Sequence, residues 1–463
     1  MKKKSGRWGD LSKPNLTEQL ASKNLVLAGL KTHLKKYEIP GGDFVVGFSG
    51  GLDSTALLHS LSCLVKNRNI TALHINHGLQ EQADSWAEHC RTLCKLLGVR
   101  ICVYRILPHE LVGAGPEDAA RNARLKYFHQ YAKEKGRVFL GHHLGDQCET
   151  VLGNLFRGSG VEGLAGIPSY RTLSNGSIER PFLQIERNHL KNYALYNDLH
   201  WIEDPTNSQT SFDRNRVRHQ VLPVIRKRWK TVDSSIARAA QNCQELSVLG
   251  EQIAGQDIAE CTAYQVYFPV SRAPVLDLIK LDGLTIERRI NLLRWWIASN
   301  CSGALSRNRF QEVLNQLASL RGPGSGGMSW NGWYLHRYRQ YLYLSPEFKN
   351  VERQSYNWDG VSAKEIVGTD LMLAPVVDSR PKRSQYRVSF ANNNANMRIE
   401  NRGCSKTVRN LFQENAITPV MRPLLPRVFW NDKLVCIVGV ASIEGFEQQS
   451  FYNHWSLQLK DEI

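Results

Sequence analysis

Six residues of this 463-residue chain stand out for their chemistry: Ser49-Gly50-Gly51-Leu52-Asp53-Ser54. Gly50 and Gly51 let the backbone approach an anion with no Cβ in the way. The hexapeptide follows the apolar run Phe44-Val45-Val46 and opens a helical pattern, so free N–H groups at a helix start face the anion. Ser49 and Ser54 add hydroxyl donors. Asp53 alone would repel phosphate, and it makes sense there when a Mg²⁺ sits between carboxylate and phosphates. The pattern G-x-x-x-x-G-K-[ST] is absent, and with it the lysine that serves γ-phosphoryl transfer. A second cluster runs from Gly141 to Thr150, with His142, His143, Gly145, Asp146 and Glu149. Asp146 and Glu149 are three apart and share a helix face. Such a pair can hold Mg²⁺ or grip an ammonium group; the plainer reading is an acidic first turn that complements the helix dipole. Gly158–Gly163 matches G-x-G-x-x-G but follows a helix, so it reads as a flexible loop beside the site and not as a dinucleotide fingerprint.

These clusters need a scaffold, and the hydrophobic pattern supplies one. Strands are expected over 43–48, 70–75, 101–106 and 138–140, with helices over 55–65, 82–97, 117–135 and 146–156. Strands alternating with helices of this length imply βαβ units and a parallel sheet. Both chemical clusters then fall at carboxyl ends of strands, where open α/β sheets gather ligands. A basic lead-in with its own helix precedes the first strand, and this first domain covers 1–232. A mainly helical domain is expected over 233–345, ending in an aromatic-rich hairpin at 328–344. A polar linker over 346–364 leads to a mixed α+β domain at 365–463, with a helix near 406–414 and a strand at 433–440.

Lys and Arg number 59 against 43 Asp and Glu, a formal net charge of +16. Between Arg214 and Lys230 there are seven basic residues and no acidic one; between Arg380 and Arg409, eight and one. Two such runs with aromatic residues nearby favour a polyanionic partner such as nucleic acid over plain solvated faces. Ten cysteines are scattered without disulfide spacing, which fits a reducing cytoplasm. Cys90 and Cys94 share a helix face beside His89 and read as buried thiols rather than as metal ligands. No secretory h-region and no apolar run of about 18 residues appears, so no membrane association is expected. A homodimer is compatible with the sequence.

The hexapeptide resembles the PP-loop of the N-type ATP pyrophosphatases, which split ATP between its α- and β-phosphates. Further segments sharpen the likeness: His74–Leu79, Glu117–Arg124, Arg157–Gly160, Arg180–Leu183, Trp201–Asn207, Asp213–Arg218 and, near the C-terminus, Arg422–Pro426. In this order they resemble the tRNA(Ile)-lysidine synthase family, most fully over residues 43–230. The resemblance implies a Rossmann-like PP-loop domain, with ATP and Mg²⁺ as cofactors. The partners it implies are L-lysine and an isoleucine tRNA with a CAU anticodon. The expected reaction adenylates the wobble cytidine and then joins the lysine amine to its carbon 2, releasing AMP. By motif, Ser49, Gly50, Gly51, Leu52, Asp53 and Ser54 bind ATP, and Asp53 and Asp146 serve catalysis and Mg²⁺. Glu149, with Asp146, holds lysine, while Arg121, Arg124, Arg214, Arg216 and Arg218 contact RNA or AMP phosphate. Many members carry two aspartates where this chain has Gly145-Asp146; the role is assigned to Asp146, which stays aligned with Glu149. The nearest alternative is a PP-loop tRNA thiolase, but such enzymes commonly need paired cysteines and no C-x-x-C occurs. A tRNA-binding protein with an inactive nucleotide site is the other.

Overall fold

A computed structural model describes residues 16–37, 43–65, 69–76, 78, 82–106, 116–133, 136–173, 176–203, 213–263, 275–301, 307–319, 327–347, 355–360, 362–366, 371–375, 386–390, 397–401, 404–442 and 455–459. The chain forms two compact units, Met1–Val248 and Leu249–Ile463. Among the described residues no helix is long and apolar enough to cross a membrane.

In chain order the first unit contains α1 (Leu16–Lys36), β1 (Phe44–Gly47), α2 (Leu52–Leu64), β2 (Ile70–Asn76), α3 (Ala83–Leu97) and β3 (Arg100–Arg105). There follow α4 (Pro116–Lys133), β4 (Arg137–Phe139), α5 (Leu144–Phe156), α6 (Val161–Leu164), β5 (Tyr170–Leu173), β6 (Gly176–Glu179) and α7 (Arg187–Tyr196). The strands order as β3-β2-β1-β4-β6-β5, parallel except for the edge strand β5. Alternate residues of β1 serve the two faces, as the period of a strand requires. Phe44 and Val46 pack with Leu30, Leu57, Leu61, Cys94 and Tyr193, whereas Val45 packs with Ala123, Ala132 and Val138. Both faces are thus covered, which explains why β1 reads as an unbroken apolar run. Chain direction across the sheet reverses between β1 and β4, so the segments after these two strands emerge side by side.

The β5–β6 hairpin was not expected from sequence. Its inner strand buries Ser177 and Glu179 alongside Ile178, so no apolar alternation marks it. Glu179 accepts from Arg137 Nε and Nη2 at 2.7 and 2.8 Å, from Ser177 Oγ at 2.6 Å and pairs with His33 Nε2 at 2.9 Å. These bonds satisfy a buried charge and fasten α1 to the sheet. The loop expected over 158–163 is in part ordered: Gly160 precedes α6, and Asn154 Nδ2 donates to Gly163 O at 2.7 Å.

Beyond α7 the chain builds α8 (Asp213–Arg216), a π-helical turn (Val217–Val221), α9 (Leu222–Arg228) and the 30-residue α10 (Val232–Cys261), inside which the two units divide. Val217 and Leu222 are buried against Leu144, Cys148 and Leu152 of α5.

After the end of α10 the second unit continues with β7 (Leu276–Asp277), α11 (Leu278–Asp282), α12 (Ile286–Asn300), α13 (Arg307–Ser319), β8 (Gly327–Trp330), β9 (Trp333–Tyr338) and β10 (Tyr341–Pro346). Where a hairpin was expected, β8–β10 form a meander, with β7 completing the sheet. Asn331-Gly332, both at positive φ, make the two-residue turn between β8 and β9. Trp296, fully buried, centres this core. The remainder holds β11 (Ser355–Trp358), β12 (Lys364–Glu365), β13 (Leu371–Pro375), β14 (Tyr386–Ser389), β15 (Arg398–Asn401), β16 (Cys404–Thr407), α14 (Val408–Glu414), β17 (Arg427–Trp430), β18 (Lys433–Ile437), β19 (Ala441–Ser442) and β20 (Trp455–Leu459). The stretch read as a linker therefore contributes β11 to a sheet of order β11-β14-β17-β18-β19.

Candidate active site

The phosphate loop leaves β1 and enters α2. His74 Nδ1 donates to Phe48 O at 2.9 Å, and Phe48 N donates to Leu73 O at 2.9 Å, which fixes the base of the loop. Gly50 has φ +80, and a Cβ there would stand 2.7 Å from Ile202 Cδ1 and 2.9 Å from Cys90 Sγ. Glycine is therefore required both by conformation and by space. Ile202 N donates to Gly50 O at 2.9 Å, so the segment at Trp201–Ile202 backs the loop. Gly51 caps α2 with no side-chain hydrogen bond. Ser49 Oγ and Ser54 Oγ stand 3.1 Å apart, and Ser54 Oγ donates to Gly51 O at 3.0 Å. Loop backbone, two hydroxyls and a helix start thus converge as an anion cradle.

Asp53 lies in the first turn of α2. Its Oδ1 is buried and accepts no hydrogen bond; the nearest cation is Arg187 Nε, at 3.6 Å. Burial pushes this carboxyl above its ordinary range, against the opposing pull of His143 and the charge of Arg187. The residue across from it is His143, which caps α5. Gly145 N donates to His143 Nδ1 at 3.0 Å, so that nitrogen is unprotonated and the ring proton sits on Nε2. Nε2 faces two carboxylates, Asp146 Oδ2 at 3.6 Å and Asp53 Oδ2 at 3.9 Å. A Cβ at position 145 would lie 2.8 Å from His143 Cε1, so Gly145 makes room for this ring.

Asp146 and Glu149 face inward from α5 and meet two arginines. Arg214 Nη2 donates to Asp146 Oδ1 at 2.5 Å and Arg214 Nε to Glu149 Oε2 at 2.8 Å. Arg218 donates from Nε to Glu149 Oε1 at 2.5 Å, and from Nη2 to Glu149 Oε2 at 2.9 Å and Asp146 Oδ1 at 3.2 Å. Spacing explains the match: acids at i, i+3 oppose arginines at i, i+4 around the buried Val217. Burial alone would raise the Asp146 carboxyl, but His143, the Arg214 charge and the hydrogen bond from His143 N draw it below its ordinary range. Both oxygens of Asp146 are occupied, since Oδ2 also accepts from His143 N at 2.9 Å.

Loop and acid pair, expected separately from sequence, therefore meet around His143. Arg214 and Arg218 join the acids, and Arg216 is exposed. Arg124 is half-buried on α4; the side chain of Arg121 and residues 204–207 lie outside the described residues. Sequence reasoning gave no role to His143, Arg187 or Ile202. His143 is not one of the Ser, Thr, Asp or Asn residues that mark an N-cap in sequence, so its capping role shows only in three dimensions. Cys90 and Cys94 are buried thiols whose pKa values burial pushes up to about 12 and about 11.

A glycine loop at the sheet's reversal point, with a carboxylate inside it, defines an ATP-binding domain of the PP-loop class. A family model described as a PP-loop domain matches residues 27–225. Models described as TilS substrate binding domain and TilS substrate C-terminal domain match 276–343 and 386–459. The tRNA(Ile)-lysidine synthase of Legionella pneumophila (strain Paris) is 34% identical over 419 residues, covering 89% of this chain and 94% of that one. That of Coxiella burnetii (strain RSA 493) is 30% identical over 430 residues, with 90% and 93% covered. The chain belongs to the tRNA(Ile)-lysidine synthase family.

Proposed function

We propose that this chain ligates L-lysine to carbon 2 of the wobble cytidine of the isoleucine tRNA with a CAU anticodon, converting ATP to AMP and pyrophosphate and forming lysidine. The observation that carries this reading is the convergence on His143 of the phosphate-loop carboxylate Asp53 and of Asp146, which shares Arg214 and Arg218 with Glu149. A nucleotide cradle and an ammonium-binding acid pair at neighbouring strand ends suit a reaction that joins an amine to an adenylated acceptor.

In this scheme the N–H groups from Gly51 to Ser54 hold the phosphates of ATP. The cytidine oxygen takes the adenylyl group, pyrophosphate leaves, and the neutral lysine amine then attacks carbon 2 as AMP departs with the oxygen. Lysine's amine has a reference pKa of about 10.4 and attacks only when deprotonated. Glu149, with Asp146, orients the ammonium and accepts its proton. The buried, unpartnered Oδ1 of Asp53 fits a Mg²⁺ shared with phosphates, and such an ion would neutralise the leaving pyrophosphate. Asp146, first paired with Asp53 for that task, has its oxygens engaged by Arg214, Arg218 and His143 N, so the Mg²⁺ proposal rests on Asp53. Arg216 and Arg124, together with the basic residues from Arg226 to Lys230, the basic run from Arg380 to Arg409 and the domains at 233–345 and 365–463, are assigned to the tRNA. A cytoplasmic location accords with nine described cysteines that are all free.

The test supplies labelled lysine, ATP and unmodified tRNA with a CAU anticodon. Label in the wobble base is expected. Its absence, or pyrophosphate release that ignores lysine, would overturn the assignment. Asp146→Ala should abolish tRNA-dependent AMP release.

A further inference from the structure

The acid pair proposed to hold lysine is already occupied. Each of its four carboxylate oxygens accepts at least one hydrogen bond from the chain itself, and five of those bonds come from Arg214 and Arg218. Two guanidinium charges balance two carboxylates, so an arriving ammonium finds no unpaired negative charge. Bonds between ionised groups are the stronger kind, and water competes poorly at acids whose side chains are only 10% and 3% exposed.

We infer that Arg214 and Arg218 are specificity-determining residues that occupy the amine seat in the resting enzyme, and that lysine enters by displacing the Arg214 guanidinium. This deepens the proposed lysine-binding role of Glu149 and rests on it. Arg214 is the group to leave because it makes two of the five bonds against three for Arg218, and its side chain is 39% exposed against 26%. Its guanidinium can swing into water with little desolvation to overcome, whereas the acids are fixed on α5. The helix need not undock, since Val217 stays buried against Leu144, Cys148 and Leu152. The adjoining turn, Val217–Val221, is π-helical, an irregularity that often marks functional positions. An aliphatic chain ending in a cation is the chemical likeness of the arginine it replaces. Neutral side chains, and amines too short to span to Glu149, lack the means to displace it. A released guanidinium is then available to a phosphate of the adenylate.

Equilibrium binding of labelled lysine to the full chain, without ATP or tRNA, tests this. Arg214→Met keeps the stem and removes the charge, and it should bind lysine about tenfold more tightly than wild type, the worth of one charge-assisted bond. Arg214→Lys restores a competing cation and should return affinity toward the wild-type value, a rescue that a merely structural role would not produce. In the complete reaction Arg214→Met should lower KM for lysine. Unchanged or weakened lysine affinity in Arg214→Met, with the chain folded by circular dichroism, would overturn the inference. If Arg214→Met fails to fold, Arg218→Met is measured against the same criterion. Glu149→Gln separates the two readings. Lost lysine binding in the wild-type and Arg214→Met backgrounds supports the lysine seat, whereas undiminished binding in both shows that the proposed function of Glu149 has failed, whatever the arginines do.

Discussion

Replacing Gly50 by alanine tests whether the phosphate loop works in the shape described. Gly50 has φ +80, and an alanine held in the left-handed region costs about 1–2 kcal/mol. Its Cβ would also overlap Ile202 Cδ1 and Cys90 Sγ. The Ile202 methyl ends a flexible side chain and gives way cheaply, but Cys90 is fully buried, and crowding a packed core typically adds about 1–3 kcal/mol. The sum, about 2–5 kcal/mol, falls on the phosphate-holding conformation. At about 1.4 kcal/mol per tenfold, kcat/KM for ATP should drop about 30- to 4,000-fold. The assay is the initial rate of tRNA- and lysine-dependent pyrophosphate release against ATP concentration. Gly98→Ala is the control: it too sits at positive φ, +66, with nothing within 4 Å of its missing Cβ. It should lose only about 1–2 kcal/mol in urea unfolding and leave ATP kinetics unchanged. A Gly50→Ala enzyme within about threefold of wild type would refute both the loop geometry and its role in holding ATP.

Three further outcomes follow from the same structure. Glu179→Gln strands the buried Arg137 and should cost about 3–5 kcal/mol in urea unfolding at pH 7, a cost under 1 kcal/mol being the contrary result. Burial would raise the Glu179 carboxyl, but His33, Arg137 and Ser177 hold it below its ordinary range. Its contribution is thus full above the unfolded value of about 4.3 and is lost as pH falls through the folded one, so wild type and Glu179→Gln should converge in acid. Native alkylation at pH 8, read by mass spectrometry, should modify exposed Cys63 well before Cys90 and Cys94, whose buried thiols stay protonated. Binding to tRNA should weaken linearly in log–log form with salt, by about 10³–10⁵ between roughly 50 and 200 mM if six to ten phosphates are neutralised; a flat response would remove the charge argument.

Much of the first unit was legible because its signals are local. Alternating apolar strands and helices gave the parallel sheet, and Ser49–Ser54 marked the turn from β1 into α2, although α2 already begins at Leu52, three residues before the helix expected from 55. The β5–β6 hairpin was hidden because Glu179 is buried by pairing with Arg137 and His33, partners that are 42 and 146 residues away. The arginines of Asp213–Arg218 were read as facing phosphate, since a basic run without acids looks solvated or RNA-bound. What composition lacks is the burial of Val217, which turns Arg214 and Arg218 toward α5 and leaves Arg216 outside. Gly145 looked like the loss of a carboxylate. In three dimensions it is the space that the His143 ring occupies.

The fastening of α1 by His33 and Glu179 bears on where the catalytic module starts. Measured by motif, the nucleotide-binding segment begins at β1, and everything earlier looks like a removable leader. Yet Val26 and Leu30 are fully buried in the sheet's core, and His33 completes the shell around a carboxylate with no solvent access. A gene shortened to begin at Asp43 would expose that core and leave Glu179 one partner short. The smallest autonomous version of this enzyme's nucleotide-binding half therefore has to include Leu16–Lys36, and recombination between relatives should preserve α1 together with β6 as an inherited pair.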